Sequence, residues 1–216
     1  MNRFYNHLLF PCPLPFEQSS NPIAKDCPRL KVLATWVDYS REFELPVLLE
    51  GNVAGFFPGS SIGNFHPEMA LTFLRRVKQQ VGNDGGLLLG VDLKKSVDVL
   101  NRAYNDSEGI NAAFNLNVLS HIYEFYDGDF ALGKFVYRAV YPSELCCMLM
   151  FIVSTCDQTV KIAGETFSLT EGEEIHTENS FKYSEEEFRQ LCRNAGFQTD
   201  RFWTDEKRWF GVFYVS

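Results

Sequence analysis

Apolar and polar positions along this chain follow two periods, one of strands and one of helices. Leu30 to Val37 (LKVLATWV) is a run of large and β-branched residues that predicts a buried strand closed by Asp38. Val53 to Phe57 predicts a second strand, ending in the loop Pro58-Gly-Ser-Ser-Ile-Gly-Asn64. His66-Pro67 then opens a helix, since proline suits the first helical position. Met69, Leu71, Phe73, Leu74, Val77 and Val81 fall mostly on one side of it. Gly82-Asn-Asp-Gly-Gly86 stops the helix, and Leu87 to Val91 (LLLGV) predicts the next strand, capped by Asp92. Strand, helix, glycine turn and strand make a βαβ unit, which implies a parallel sheet covered by helices.

Beyond Lys95 the pattern changes. Val97 to Tyr104 and Ile110 to Tyr126 predict helices; Phe135 to Tyr141, Met148 to Ser154 and Thr159 to Ile162 predict strands, with a hairpin turn at Ala163-Gly-Glu-Thr166. Several β segments in succession suggest a small antiparallel lobe inserted into the α/β unit. Ser184-Glu-Glu-Glu187 is a capping box, and Phe188, Leu191, Cys192 and Ala195 carry its helix to Gly196. Phe197 to Trp203 and Trp209 to Val215 close the chain as two strands. Upstream, Pro11, Pro13, Pro15, Pro22 and Pro28 forbid continuous helix or central strand, so residues 1–28 are expected to form an irregular leader. The expected division is this leader, an α/β portion over 29–95 and 184–216, and an inserted lobe over 96–183.

Composition narrows the partners. The net charge is −8, and the longest basic runs are the pairs Arg75-Arg76 and Lys94-Lys95, so no footprint for nucleic acid is present. Leu8 to Phe16 is broken by prolines and does not read as a signal peptide; Leu145 to Val153 is too short to span a bilayer. A soluble, cytoplasmic chain is expected. Its cysteines lack a zinc-type spacing with the histidines, and Cys146-Cys147 lies in an apolar run, which fits free thiols in a reducing compartment and no metal. The 20 Phe and 9 Tyr suggest an aromatic core or an aromatic-lined pocket.

Four segments share one further property. They are Phe56-Phe-Pro-Gly-Ser-Ser-Ile-Gly-Asn64, Gly90-Val-Asp-Leu-Lys-Lys95, Ala103-Tyr-Asn-Asp106 with Gly109 to Asn115, and Ile175-His-Thr-Glu-Asn-Ser-Phe-Lys-Tyr183. In this order and spacing the chain, from about residue 30 to its end, resembles the histidine-specific, S-adenosylmethionine-dependent Nα-methyltransferases of ergothioneine biosynthesis. The resemblance implies a class I, Rossmann-like methyltransferase sheet with an inserted substrate-binding lobe. It also implies S-adenosyl-L-methionine as cofactor and L-histidine as substrate, methylated at its α-amine. Displacement on a sulfonium methyl needs chiefly alignment of the nucleophile, so no metal or covalent nucleophile is implied.

The resemblance assigns residues as well. Asn64 and Tyr104 match the groups that hold the substrate carboxylate, and Gly59 with Gly63 lets backbone approach closely. Phe114 lines the same pocket, and Asn111 sits where some relatives carry Thr. Glu178 and Ser180, two apart on a strand, share a face and match the pair that grips the imidazole, with Glu178 accepting its N–H. Asn179 and Lys182 match too, and Met150 falls where the family packs a methionine. Asp38-Tyr39 resembles the acidic-aromatic pair that meets the cofactor's adenine.

One family feature is not found. The acidic-x-Gly-x-Gly stretch that cradles the cofactor's methionine part belongs upstream of Asp38, yet residues 1–37 contain no glycine. A partial sheet with impaired cofactor binding is therefore expected. The full family enzyme is expected to be a monomer, whereas an open sheet edge here would favour association. Two alternatives stay open: another α-amino acid substrate, such as a tryptophan derivative, and a non-catalytic amino-acid-binding fragment.

Overall fold

The computed structural model describes residues 4–10, 22, 25–28, 30–43 and 51–216. Strands β1 (Phe4–Phe10) and β2 (Leu30–Trp36) pair in parallel. The proline-rich leader, expected to be irregular, thus contributes a strand; its first proline, Pro11, follows the strand's last residue instead of interrupting it.

The βαβ unit forms as its pattern dictates. β3 (Ala54–Phe57) runs into a 3-10 turn, Ser61–Asn64, then α1 (Pro67–Val81) returns the chain to β4 (Gly86–Asp92), parallel to β3. Helix α1 turns Ala70, Phe73, Leu74 and Val81 inward. Met69, one of the apolar periodic positions, is half exposed instead. At the other end of the chain, α4 (Glu185–Asn194) starts at the Ser184–Glu187 capping box, where both reciprocal hydrogen bonds are present. β10 (Thr199–Thr204) and β11 (Phe210–Val215) then add antiparallel strands, giving a sheet of order β10-β11-β4-β3. Helices α1 and α4 share one core with this sheet: Phe73, Leu74, Leu89, Phe188, Phe197 and Phe213 lie in a single buried cluster.

Between β4 and α4 lie α2 (Val97–Tyr104), α3 (Ile110–Tyr126), β5 (Phe135–Val140), β6 (Cys147–Ser154), β7 (Gln158–Ile162), β8 (Glu165–Leu169) and β9 (Glu174–Phe181). β5, β6 and β9 form an antiparallel sheet, and β7 with β8 a separate hairpin. Two smaller clusters pack here, one around Leu119, Phe135 and Ile152, the other around Leu100, Ala139 and Met150. The β6–β9 register shifts between Met150 and Phe151, which face Glu178 and His176, so Thr177 is the bulged residue. Its hydroxyl reaches Met150 O (3.1 Å) and Asn115 Oδ1 (3.0 Å).

Strand β9 leads straight back to the first sheet. Lys182 N donates to Cys146 O at 2.8 Å, Tyr183 bridges Leu93, and Lys94 N donates to Tyr183 O at 2.9 Å. The end of β9 is therefore held at the C-terminal end of β4. In open α/β sheets that edge is where ligands bind.

Candidate functional site

The loop after β3 supplies the first wall. Gly59 and Ser60 both have left-handed backbone (φ 75° and 60°), and Ser60 Oγ accepts from Asp92 N at 2.8 Å. The turn that follows lies against β9 so closely that a Cβ on Gly63 would sit 2.8 Å from Phe181 O. That contact places Asn64 beside β9, where its Nδ2 donates to Glu178 Oε1 at 2.9 Å. Gly63→Ala is expected to force the turn off the strand, lowering stability by about 1–3 kcal/mol. Denaturant unfolding with an unchanged m-value would show it; wild-type stability would mean the turn yields freely.

The second wall comes from α2 and α3. Tyr104 ends α2, and its hydroxyl lies 2.9 Å from Ser180 Oγ. Asp106 accepts the amides of Ile110 (2.7 Å) and Asn111 (2.9 Å), so it caps α3 and its carboxyl is held below the usual aspartate range. The Asn111 amide donates to Ala103 O and Asp106 Oδ1, which fixes it at the join of the helices. Phe114, one turn on, is 73% exposed.

Strand β9 forms the floor. Burial pushes the Glu178 carboxyl above the ordinary glutamate range, against the opposing pull of the Asn64 hydrogen bond and the Lys182 charge. Beneath it lies a group whose role the sequence did not disclose. Lys182 is among the most buried side chains of the protein; its Nζ pairs with Asp92 Oδ2 (2.8 Å) and donates to Ser180 Oγ (2.6 Å) and Tyr104 Oη (2.7 Å). Asp92 Oδ1 also receives Lys95. Tyr137 was likewise unforeseen: its buried hydroxyl has no partner among the described residues, and burial, with Tyr104, Glu178 and Asp106 nearby, pushes it up to about 12.

Gly59, Asn64, Tyr104, Asn111, Phe114, Met150, Glu178 and Ser180 all line one cleft of about 350 Å³. These eight are therefore brought together, whereas Gly63, Asn179 and Lys182, which also match the family pattern, are not among the lining residues. Ser60, Ser61, Asp92, Asn115 and Phe210 complete the lining. The cleft offers acceptors at Glu178 and Asp92 and donors at Asn64, Tyr104 and Ser180, a set suited to a small zwitterion.

Asp38 and Tyr39 stand outside it. The Asp38 carboxylate accepts from Ser40 N (3.0 Å) and Ser40 Oγ (2.5 Å) and pairs with Arg41 at 3.2 Å; the Ser40 hydroxyl holds its pKa down. The Tyr39 ring packs edge-on against Phe57 and Phe73, at 5.8 and 6.3 Å between centroids. The carboxylate is engaged in its own turn but remains 54% exposed, and the ring packs, partly buried, against the core cluster. The described residues before Asp38 include no glycine that could cradle a cofactor tail. Among the described residues, the groups present do not complete an S-adenosylmethionine site.

The family model for histidine-specific, S-adenosylmethionine-dependent methyltransferases matches residues 15–216. The chain belongs to this family. The match begins upstream of residue 30, where the motif resemblance starts. A histidine N-alpha-methyltransferase of Mycolicibacterium smegmatis is 34% identical over 158 residues, covering 72% of this chain and 49% of that protein. The ergothioneine biosynthesis protein 1 of Neurospora crassa is 35% identical over 153 residues, 68% of this chain and 17% of that protein. An L-tryptophan methyltransferase of Psilocybe serbica is 27% identical over 154 residues, 70% of this chain and 43% of its own length. The chain thus spans about half the length of the bacterial relative.

Solved structures agree on the fold. An S-adenosylmethionine-dependent methyltransferase from Clostridium acetobutylicum superposes with a TM-score of 0.53 at 9% identity, covering 97% of this chain and 74% of its own. A protein of Pyrococcus horikoshii gives 0.52 at 11% identity, covering 99% and 73%. The expected α/β, Rossmann-like class I methyltransferase fold is the observed one.

Proposed function

We propose that this chain carries the amino-acid side of an S-adenosylmethionine-dependent methyltransferase acting on the α-amine of L-histidine. One observation carries the reading: Glu178 and Ser180 share the floor of the cleft whose walls hold Asn64 and Tyr104. Glu178 would accept one imidazole N–H and Ser180 donate to the other ring nitrogen, while Asn64 and Tyr104 take the carboxylate. Without ligand, Asn64 donates to Glu178. Substrate would exchange partners at both: its carboxylate takes the Asn64 amide, and its ring N–H takes the Glu178 oxygen. The α-amine is then the substrate group left without a protein partner. Holding it still is the contribution these residues make, since alignment is the main demand of methyl transfer. Asp38 and Tyr39 are proposed for adenine; the Asp38 carboxylate keeps acceptor capacity beyond its contacts with Ser40 and Arg41.

The test is calorimetric titration of the chain with L-histidine, L-tryptophan, L-tyrosine and S-adenosylmethionine. Histidine is expected to bind most tightly and S-adenosylmethionine weakly. Stronger binding of tryptophan would favour the second reading, another α-amino acid substrate, which the Psilocybe relative and the exposed ring of Phe114 support. Amino-acid binding without methylation of any of them would favour a non-catalytic binding fragment.

Among the described residues no helix is long and apolar enough to cross a membrane. The cysteines at 27, 146, 147, 156 and 192 are free thiols, which supports the proposed cytoplasmic setting. Beyond β3, among the described residues, no strand pairs with the sheet, and Phe56 there is 71% exposed. We propose that this edge associates with a second copy. Light scattering over a concentration series is expected to show dimers; a monomer throughout removes the idea.

A further inference from the structure

We propose that Lys182 is a positioning residue that aims the hydroxyl protons of Tyr104 and Ser180 at the substrate. The inference rests on the cleft being a histidine site. The Lys182 side chain is fully enclosed, at 0% exposure, and an ammonium has three hydrogens and no lone pair. One hydrogen faces Asp92 Oδ2 at 2.8 Å, one Tyr104 Oη at 2.7 Å and one Ser180 Oγ at 2.6 Å. Both hydroxyl oxygens therefore receive from Lys182, and each keeps an O–H to direct elsewhere. The two oxygens are 2.9 Å apart, so without ligand one proton closes the Tyr104–Ser180 bond and the other is the donor left over.

An amino acid with a carboxylate at one end and an unprotonated ring nitrogen at the other asks for two donors. Tyr104 can turn to the carboxylate and Ser180 to the ring nitrogen at the loss of their mutual bond alone, because Lys182 continues to hold both oxygens. Without the ammonium, either hydroxyl is free to present a lone pair, which repels both substrate groups. Asp92, itself anchored by Lys95 and by its own amide on Ser60, keeps the ammonium in place. Glu178 as acceptor and Ser180 as donor together match the tautomer of a neutral imidazole that carries its proton towards Glu178.

A double-mutant cycle tests this. L-Histidine is titrated calorimetrically into the wild type, Lys182→Met, Tyr104→Phe/Ser180→Ala and the triple variant. Lys182→Met is expected to weaken binding roughly 10- to 100-fold in the wild-type background. In the background lacking both hydroxyls it is expected to change binding by less than about twofold. Equal losses in both backgrounds, or no loss, would overturn the proposal, since a packing role does not depend on the hydroxyls. A wild-type chain that binds no histidine would overturn the reading of the cleft and this role with it. Should Lys182→Met not fold, ¹⁵N-lysine NMR replaces the cycle. A slowly exchanging ammonium resonance that moves in Tyr104→Phe and in Ser180→Ala supports the assignment; a fast-exchanging or unmoved one refutes it.

Discussion

Asp92→Ala is expected to lower folding stability by about 3–5 kcal/mol, the cost of leaving a buried charge without its partner. Lys182 is fully enclosed and Asp92 only 18% exposed, so water does little to screen the loss. Tyr104 and Ser180 would still accept from the ammonium, but neither carries a negative charge. Lys95, at 12% exposure, would lose its partner in the same step. The geometry also predicts how the loss is repaired. Adding Lys182→Met to Asp92→Ala should restore much of the stability, because replacing a whole buried pair by apolar groups is often neutral or better. Urea unfolding of the single and double variants measures both effects. A single-variant loss below about 1 kcal/mol would place Lys182 in a wetter setting than its contacts indicate.

Glu178→Gln should move binding and stability in opposite directions. The Glu178 carboxyl is raised above its unfolded value, mainly by burial. The folded chain therefore holds that proton more tightly than the unfolded chain. Stability from this group is fullest on the acid side and declines as pH rises from the ordinary glutamate range through the raised folded value. Glutamine does not ionise and escapes the decline, so the variant should gain stability relative to wild type on the neutral side of that window and none below it. Histidine binding follows the opposite course. It needs the ionised carboxylate, so wild-type affinity should fall as pH drops through the raised value, and Glu178→Gln should weaken binding roughly 10- to 100-fold at neutral pH. A stability difference that does not vary with pH would contradict the burial argument; unchanged affinity would contradict the role in gripping the ring.

How much of this could be read from the chain depends on how local each feature is. Helices Val97–Tyr104 and Ile110–Tyr126 have the bounds their periodicity implies, because the break between them holds Asn105, Asp106 and Gly109, which end one helix and start the next. Glu178 and Ser180 were readable as a pair because a strand sets residues two apart on one face. Strand β1 was not, since its partner β2 lies beyond a proline-rich stretch and no local signal announces a parallel pairing. Lys182 matched a family pattern but carried no role: a lysine implies solvent until the fold brings Asp92 to it from a strand ninety residues earlier. The bulge at Thr177 was equally silent, being a property of two strands together. Asp38 and Tyr39 show the reverse. Their residue types suit an adenine, yet a nearby serine and a phenylalanine-rich core engage them first.

The junction of β9 with the first sheet bears on protein engineering. Segment 96–183 invites exchange among relatives as a way to alter substrate choice. Its lysine, however, is neutralised by an aspartate on the other side of the graft boundary, and the turn facing β9 needs glycine at position 63. A segment transplanted into a scaffold without those two residues would arrive with an ammonium and no counterion, and with a strand seated on a surface shaped for another. Chimeras should therefore be cut so that Asp92, Gly63 and the end of β9 travel from one parent, which makes the portable unit a set of contacts and not a stretch of sequence.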